Sequence, residues 1–183
     1  MGNMVENKVF YSKENLLEGL IDDYGTELKR IAFLYVKDES LAEDIIQEVF
    51  ISCYHHLDSF RKESSYKTWL IRITVNKSKD ALKLWSFRNL VSKAEVEPPF
   101  LEVNTPESDT LLEMEKKELI QEVLELPIKL REVIILFYYK DLSIAEIVDI
   151  LQLNENTIKS RLFRAREKLK VTLERGGDTW EEK

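Results

Sequence analysis

The run NENTIKSRLFRAREKL, residues 154–169, contains no glycine or proline, and its apolar residues recur at helical spacing. Wound at about 100° per residue, Ile158, Leu162, Ala165 and Leu169 fall in one narrow stripe that must face a core. The opposite face carries Asn156, Ser160, Phe163 and Arg164, with Lys159 and Arg166 on one flank and Arg161 and Lys168 on the other. A polar row between basic flanks is the layout of a groove reader: the flanks neutralise phosphates and set register, and the centre reaches base edges. Arg164 has the chemistry to pair with guanine, and exposed Phe163 to touch a thymine methyl. The competing reading is an ordinary amphipathic surface helix.

The preceding residues argue for the reader. Ser143 and Glu146 form an S-x-x-E capping box ahead of an apolar run, and a short turn, QLN (152–154), leaves Asn154 to cap the basic helix. Two short helices across a tight turn make a helix-turn-helix, whose second helix enters the major groove.

The chain as a whole is acidic, with 183 residues, a formal net charge of −7 and a pI near 5.1. The charge is segregated. Residues 59–93 hold nine Lys/Arg against two acids, residues 155–170 hold six against two, and the intervening 95–122 hold nine acids against two lysines. Phosphate attraction is local, because fields are screened within about 10 Å at ordinary salt. An acidic total is therefore compatible with two cationic surfaces; solvated helix faces are the plainer alternative.

Five Gly and four Pro favour long helices over sheets. Helical patterns cover 14–36, about 40–57 (opened by a Ser40–Glu43 capping box), and about 66–84. They resume at 111–126, from Pro127 to Tyr139, over 143–151 and over 155–173. The polar loop DSFRKESS (58–65) joins the second and third. VEPPF and NTPESD mark an acidic, proline-containing linker. The expected fold is all-α: two small helical domains, 10–85 and 111–175, joined by a linker at 86–110. The single Cys53 lies in an apolar stripe and reads as a buried thiol. No secretory h-region and no membrane-spanning run is seen, so a cytoplasmic protein without membrane insertion, monomeric when free, is expected.

In the second helix, Leu41, Ile45, Ile46, Val49, Cys53 and Leu57 cover one side. Asp44, Gln47, Glu48 and Ile51 stand on the other, an apolar anchor with a charged rim that fits a protein partner as well as a solvated face. In the third, Arg72, Asn76, Lys79 and Lys83 form a basic stripe beside the aromatic-flanked loop FRKESSY (60–66), a combination suited to unpaired nucleic acid. Trp69 itself reads first as a buried core tryptophan. No phosphate loop, nucleophile elbow or metal-spaced cluster occurs, and His55 and His56 are mere neighbours; neither an enzyme nor a cofactor is expected.

The segments AEDIIQEVF (42–50), SF..ESSYKTWLIRI..N (59–76), LPIKLREVIILFYYKDLS (126–143) and NTIKSRLFRAREKL (156–169) resemble the sigma-70 family of RNA polymerase sigma factors, in its extracytoplasmic-function group with domains two and four only. The resemblance spans most of residues 15–172. It implies an alternative sigma factor that binds bacterial core RNA polymerase and directs initiation at specific promoters. Asp44, Gln47, Glu48 and Ile51 would dock on the β′ clamp helices, and the second domain would approach the β flap. Phe60, Arg61, Ser64, Ser65, Tyr66, Lys67, Trp69, Arg72, Asn76, Lys79 and Lys83 would recognise and melt the −10 element, capturing an unstacked base in the loop before Trp69. Asn156, Thr157, Lys159, Ser160, Arg161, Phe163, Arg164 and Arg166 would read the −35 element. An anti-sigma factor, in many members membrane-bound, is the further partner implied. Three positions depart from the family pattern: Lys62 where glycine is frequent, Val148 for the usual alanine, and Gln152 for the usual turn glycine. A stand-alone helix-turn-helix regulator, and a sigma-mimicking adaptor that binds an anti-sigma factor, are the competing functions.

Overall fold

The structure is a computed structural model that describes residues 12–61, 64–89 and 119–176, and among these every regular element is helical. Helix α1 covers Lys13–Val36, and α2 covers Glu39–His56 and runs into a 3-10 turn at Leu57–Ser59. Helix α3 covers Tyr66–Asn89; the described part of α4 covers 119–125. Helix α5 covers Ile128–Ile134 and continues as five π-wound residues, Ile135–Tyr139; α6 covers Ile144–Leu151 and α7 Glu155–Gly176. The linker expected at 86–110 begins later than its sequence suggests, because α3 continues to Asn89. The rest of it, with Lys62 and the ends assigned to the domains at residues 10–11 and 111–118, lies outside the described residues.

Local chemistry sets the helix boundaries. The Ser12 hydroxyl accepts a hydrogen bond from the Asn15 N–H and opens α1. That helix closes at Lys37, left-handed at φ 60°, whose N–H bonds the Phe33 carbonyl at 2.7 Å. Helix α2 is not capped by the expected Ser40–Glu43 box. Asp38 lies one residue past the left-handed Lys37 and accepts the Leu41 N–H at 2.8 Å, so the helix starts before Ser40 can act. Glu43 turns outward to Lys29, 2.6 Å away.

Helices α1, α2 and α3 pack on one another around Leu28, Ile31, Tyr35, Val49, Cys53, Leu70, Ile71 and Val75. Burial pushes the Cys53 thiol up to about 11. In the C-terminal half, α7 packs on α5 and α6, and its buried residues are Ile158, Leu162 and Ala165, with Leu169 at the edge, the stripe read from sequence. Burying each Leu or Ile stabilises by about 1.5–3 kcal/mol, which fixes which face α7 turns to water.

The helix-turn-helix is built as its sequence suggests. The Ser143 N–H donates to Glu146 Oε2 at 2.9 Å and the Glu146 N–H donates to Ser143 Oγ at 3.3 Å. Asn154 Oδ1 accepts the Thr157 N–H at 2.8 Å and caps α7. Between them Gln152 takes the left-handed conformation at φ 55°, ψ 43° without being glycine, and its amide donates to the Asp149 carbonyl at 2.6 Å. Val148 is half-buried against the core.

The two halves also touch. Helix α5 packs on α1 and α6 on α3. A left-handed residue with a Cβ costs about 1 kcal/mol or more relative to glycine. Gln152→Gly should therefore raise the unfolding free energy by about 1 kcal/mol or less once the lost amide bond is counted, read as a higher urea midpoint at an unchanged m-value; a lowered midpoint would contradict the strain assigned to this turn.

Candidate nucleic-acid interface

Helix α7 presents its central row to solvent. Asn156, Ser160 and Arg164 are exposed, and Phe163 is 63% exposed, a large ring held in water on a helix anchored by its other face. Thr157 is half-buried at the first turn. The flanks are less free than their spacing suggests. Lys159 pairs with Glu155 at 2.6 Å, one turn back. Arg166 donates to the Tyr138 hydroxyl at 2.7 Å and lies over the Phe137 and Tyr138 rings. Arg161, expected as a solvent-facing flank, instead donates to Glu132 Oε1 at 2.6 Å, and its side chain is 19% exposed.

The second cationic surface follows α3. Ser65 caps this helix: its hydroxyl accepts the Thr68 N–H at 3.0 Å and shares a hydrogen bond with the Thr68 hydroxyl. Phe60, Tyr66 and Trp69 form an aromatic trio at the start of the helix, with Phe60 stacked on Tyr66 at 4.5 Å and tilted to Trp69 at 4.9 Å between ring centres. Trp69 is half-buried against the core, between the core tryptophan and the free platform that its sequence allows. Arg61 and Asn76 are exposed and Ser64 is half-buried. Arg72 is also half-buried, with a buried Nε that finds no partner among the described residues. Lys83 pairs with Asp80 at 2.8 Å. Lys79 is drawn out of the basic stripe to Glu132 of α5, 2.8 Å away, and Lys67, at the start of the helix, lies 3.5 Å from Glu27 of α1. These cations sit on carboxylates too distant in sequence for helical periodicity to reveal.

On α2, Asp44, Gln47 and Glu48 are exposed and Ile51 is 53% exposed, so the apolar anchor and charged rim share one surface; Glu48 pairs with Lys77 of α3 at 3.0 Å.

Four groups at the junction of the halves escape sequence reading: Tyr35, Arg131, Glu132 and Lys140, all buried. Arg131 donates to the Leu124 carbonyl at 2.7 Å and to the Tyr35 carbonyl at 3.0 Å, tying the last turn of α4 to the last turn of α1. Lys140 pairs with Glu27. The signal was present in LREVIILF (130–137), where a charged Arg-Glu pair interrupts an otherwise apolar run; buried charges of that kind come paired.

Residues 20–85 match the sigma-70 region 2 family and residues 116–169 match the sigma-70 region 4 family. The chain is 32% identical over 163 residues to the ECF RNA polymerase sigma factor SigW of Bacillus subtilis, with 84% of this chain and 87% of that protein covered. The chain belongs to the extracytoplasmic-function group of sigma-70 factors. The sigma factor is also 33% identical over 156 residues to the ECF RNA polymerase sigma-E factor of Haemophilus influenzae, covering 81% of this chain and 82% of that one. Its fold resembles that of the sigma factor RpoE in complex with the anti-sigma factor NepR from Bartonella quintana, at TM-score 0.73 and 23% identity, covering 88% of this chain and 98% of that one. It also resembles CnrH in complex with the cytosolic domain of CnrY, at TM-score 0.63 and 25% identity, covering 88% of this chain and 89% of that one. This is thus an alternative sigma factor that directs transcription initiation, and not an enzyme. No helix among the described residues is long and apolar enough to cross a membrane.

The junction carries a pH dependence of defined sign. Burial pushes the Glu27 carboxyl up, but the hydrogen bond and charge of Lys140, and then those of Lys67, outweigh it and leave the group below the usual carboxylate range. Burial pulls Lys140 down more than Glu27 restores it. A carboxylate depressed in the folded state contributes stability above its unfolded pKa, about 4.3, and loses it as pH falls through the folded value. Acidification below about pH 4 should loosen the junction, followed by energy transfer between dyes on the two halves. Glu27→Gln should weaken the junction at neutral pH and flatten that acid dependence.

Proposed function

We propose that this sigma factor docks on core RNA polymerase through Asp44, Gln47, Glu48 and Ile51 of α2 against the β′ clamp helices, and through its C-terminal half at the β flap. The loop from Phe60 and helix α3 recognise and melt the −10 element, with Arg61, Ser64, Tyr66, Lys67, Arg72, Asn76, Lys79 and Lys83 around the displaced strand and the aromatic trio beside an unstacked base. Helix α7 reads the −35 element in the major groove through Asn156, Thr157, Lys159, Ser160, Arg161, Phe163, Arg164 and Arg166. The observation that carries this reading is the exposed row of α7, in which Phe163 and Arg164 stand in water on a helix whose other face is core.

The physics is a division of labour. Each reader offers few phosphate contacts and binds weakly alone. Polymerase holds both on one promoter, where each raises the effective concentration of the other. The acidic remainder disfavours stray DNA, so the free chain should show only weak, salt-sensitive promoter binding. We infer an anti-sigma partner as well, membrane-bound as in many such systems; the two similar folds were each captured in a complex of that kind or with a cytosolic partner domain. Work with polymerase places the protein in the cytoplasm.

Run-off transcription with purified core polymerase over a promoter library tests the proposal. Arg164→Ala should reduce use of promoters that depend on the upstream element by about 5- to 150-fold, the equivalent of one lost base pairing of about 1–3 kcal/mol. It should leave polymerase association intact. Loss of polymerase binding in this variant would remove Arg164 from the DNA surface.

A further inference from the structure

The cations Lys159, Arg161 and Arg166 of α7 each have a partner in the chain, and the partners differ in kind. Lys159 meets the carboxylate of Glu155 at 2.6 Å and Arg161 that of Glu132 at 2.6 Å, whereas Arg166 is held by a neutral group. Its Nε donates to the Tyr138 hydroxyl at 2.7 Å, and its guanidinium carbon lies 5.5 Å from the centre of the Tyr138 ring and 5.8 Å from that of Phe137. Those two rings meet edge to face, with 5.0 Å between centres and 79° between planes, so the guanidinium rests in the corner they make. The corner is built by the π-wound turn Ile135–Tyr139, in which Phe137 is half-buried and Tyr138 is 55% exposed.

We propose that Tyr138 is a positioning residue for the reader of the −35 element: with Phe137 it orients Arg166 in advance, so that the outer edge of the guanidinium, Nη1 and Nη2, meets a phosphate of the promoter duplex. The inference rests on the assignment of α7 to that duplex and extends it to a residue outside α7.

The chemistry of the contact suits an anion that has yet to arrive. A guanidinium carries its N–H donors in a rigid fork. The Tyr138 oxygen takes the Nε–H and leaves the donors of Nη1 and Nη2, which can engage two phosphate oxygens side by side. A phenol brings no negative charge, so the full positive charge of Arg166 remains for the phosphate; a carboxylate in its place, as at Lys159 and Arg161, would have to be displaced first. Arg166 is exposed, and an exposed arginine ordinarily samples many rotamers and loses that freedom on binding. Here the hydroxyl and the two rings, each within cation–π reach, take that loss in the free chain. Lys159 stands seven residues earlier on the same flank, two turns and about 10 Å away, so the pair can follow one strand past the exposed row of Ser160, Phe163 and Arg164.

Holoenzyme reconstituted from core polymerase and the full chain tests this. Tyr138→Phe, Arg166→Ala, their double variant and Arg164→Ala are compared for promoter binding and run-off transcription on templates that differ in the −35 element. Tyr138→Phe keeps the ring and removes one oxygen at an exposed position, so the fold is retained. It should lower use of promoters that depend on the upstream element by about 2- to 10-fold, the effect of having to order one side chain on binding. The factor should be the same on every −35 sequence, because backbone contacts carry no base information. Arg166→Ala should lower use further and flatten the plot of log K against log salt by about 0.9. Adding Tyr138→Phe to Arg166→Ala should change nothing more, since the two act as one unit. Tyr138→Phe equal to the parent, single effects that multiply in the double variant, or a changed base preference would each overturn the positioning role. Lost association with core polymerase in Tyr138→Phe would overturn it too, by giving the ring to a protein surface. Arg164→Ala separates this inference from the one beneath it. Where Arg164→Ala is weakened and Tyr138→Phe is not, only the positioning role fails; where both match the parent, the assignment of α7 to DNA fails and the positioning role with it.

Discussion

A carboxylate withdrawn from water must find positive charge, and Glu132, 3% exposed, finds it in both halves of the chain. That requirement brings a lysine of α3 and an arginine of α7 onto one carboxylate of α5 and so ties the C-terminal half to the N-terminal one. Its neighbour Arg131 has the complementary need. Its guanidinium takes carbonyls from the last turns of α1 and α4, where helices leave acceptors unfilled and where the macrodipole favours a cation. Burial pulls the Arg131 pKa down, yet a guanidinium starts high enough to stay charged. The adjacent pair Arg131–Glu132 is thus a two-sided connector, one side chain serving helix ends and the other serving cations of α3 and α7.

The same arrangement reconciles a net charge of −7 with two cationic surfaces. The acids do not merely dilute the basic zones. Glu27, Glu48, Asp80, Glu132 and Glu155 each sit on a lysine or arginine of α3 or α7. The exposed pairs, those of Glu48, Asp80 and Glu155, contribute about 0–1 kcal/mol each, so they tune availability more than stability.

Sequence made the helices and their buried faces readable because both depend on neighbours within four residues. The stripe Ile158–Leu162–Ala165, the Ser143–Glu146 box and the Asn154 cap all follow from short-range geometry, and so does the solvent-facing row with Phe163 and Arg164. The Asp38 cap was missed for a local reason as well: Lys37 ends α1 in a left-handed turn, a conformation more typical of glycine or asparagine. The partners of Lys67, Lys79 and Arg161 lie 29 to 53 residues away in the chain, and no periodicity connects them. A flank predicted to be open therefore proved half-closed. Only the charged pair inside LREVIILF hinted that something at this point needed a counter-charge.

The π-wound turn at Ile135–Tyr139 has a consequence for how this segment can vary. The Lys140 N–H reaches the Ile135 carbonyl five residues back, at 3.0 Å, so the turn holds one residue more than an α-helical path would. That extra residue leaves Tyr138 and Tyr139 outward while sending Lys140 inward, with its ammonium 4.1 Å from the Tyr139 ring centre. Removing a single residue would restore regular winding and rotate Lys140 by about 100° away from Glu27, so related chains that keep the Glu27 partnership should show no gaps across these five positions.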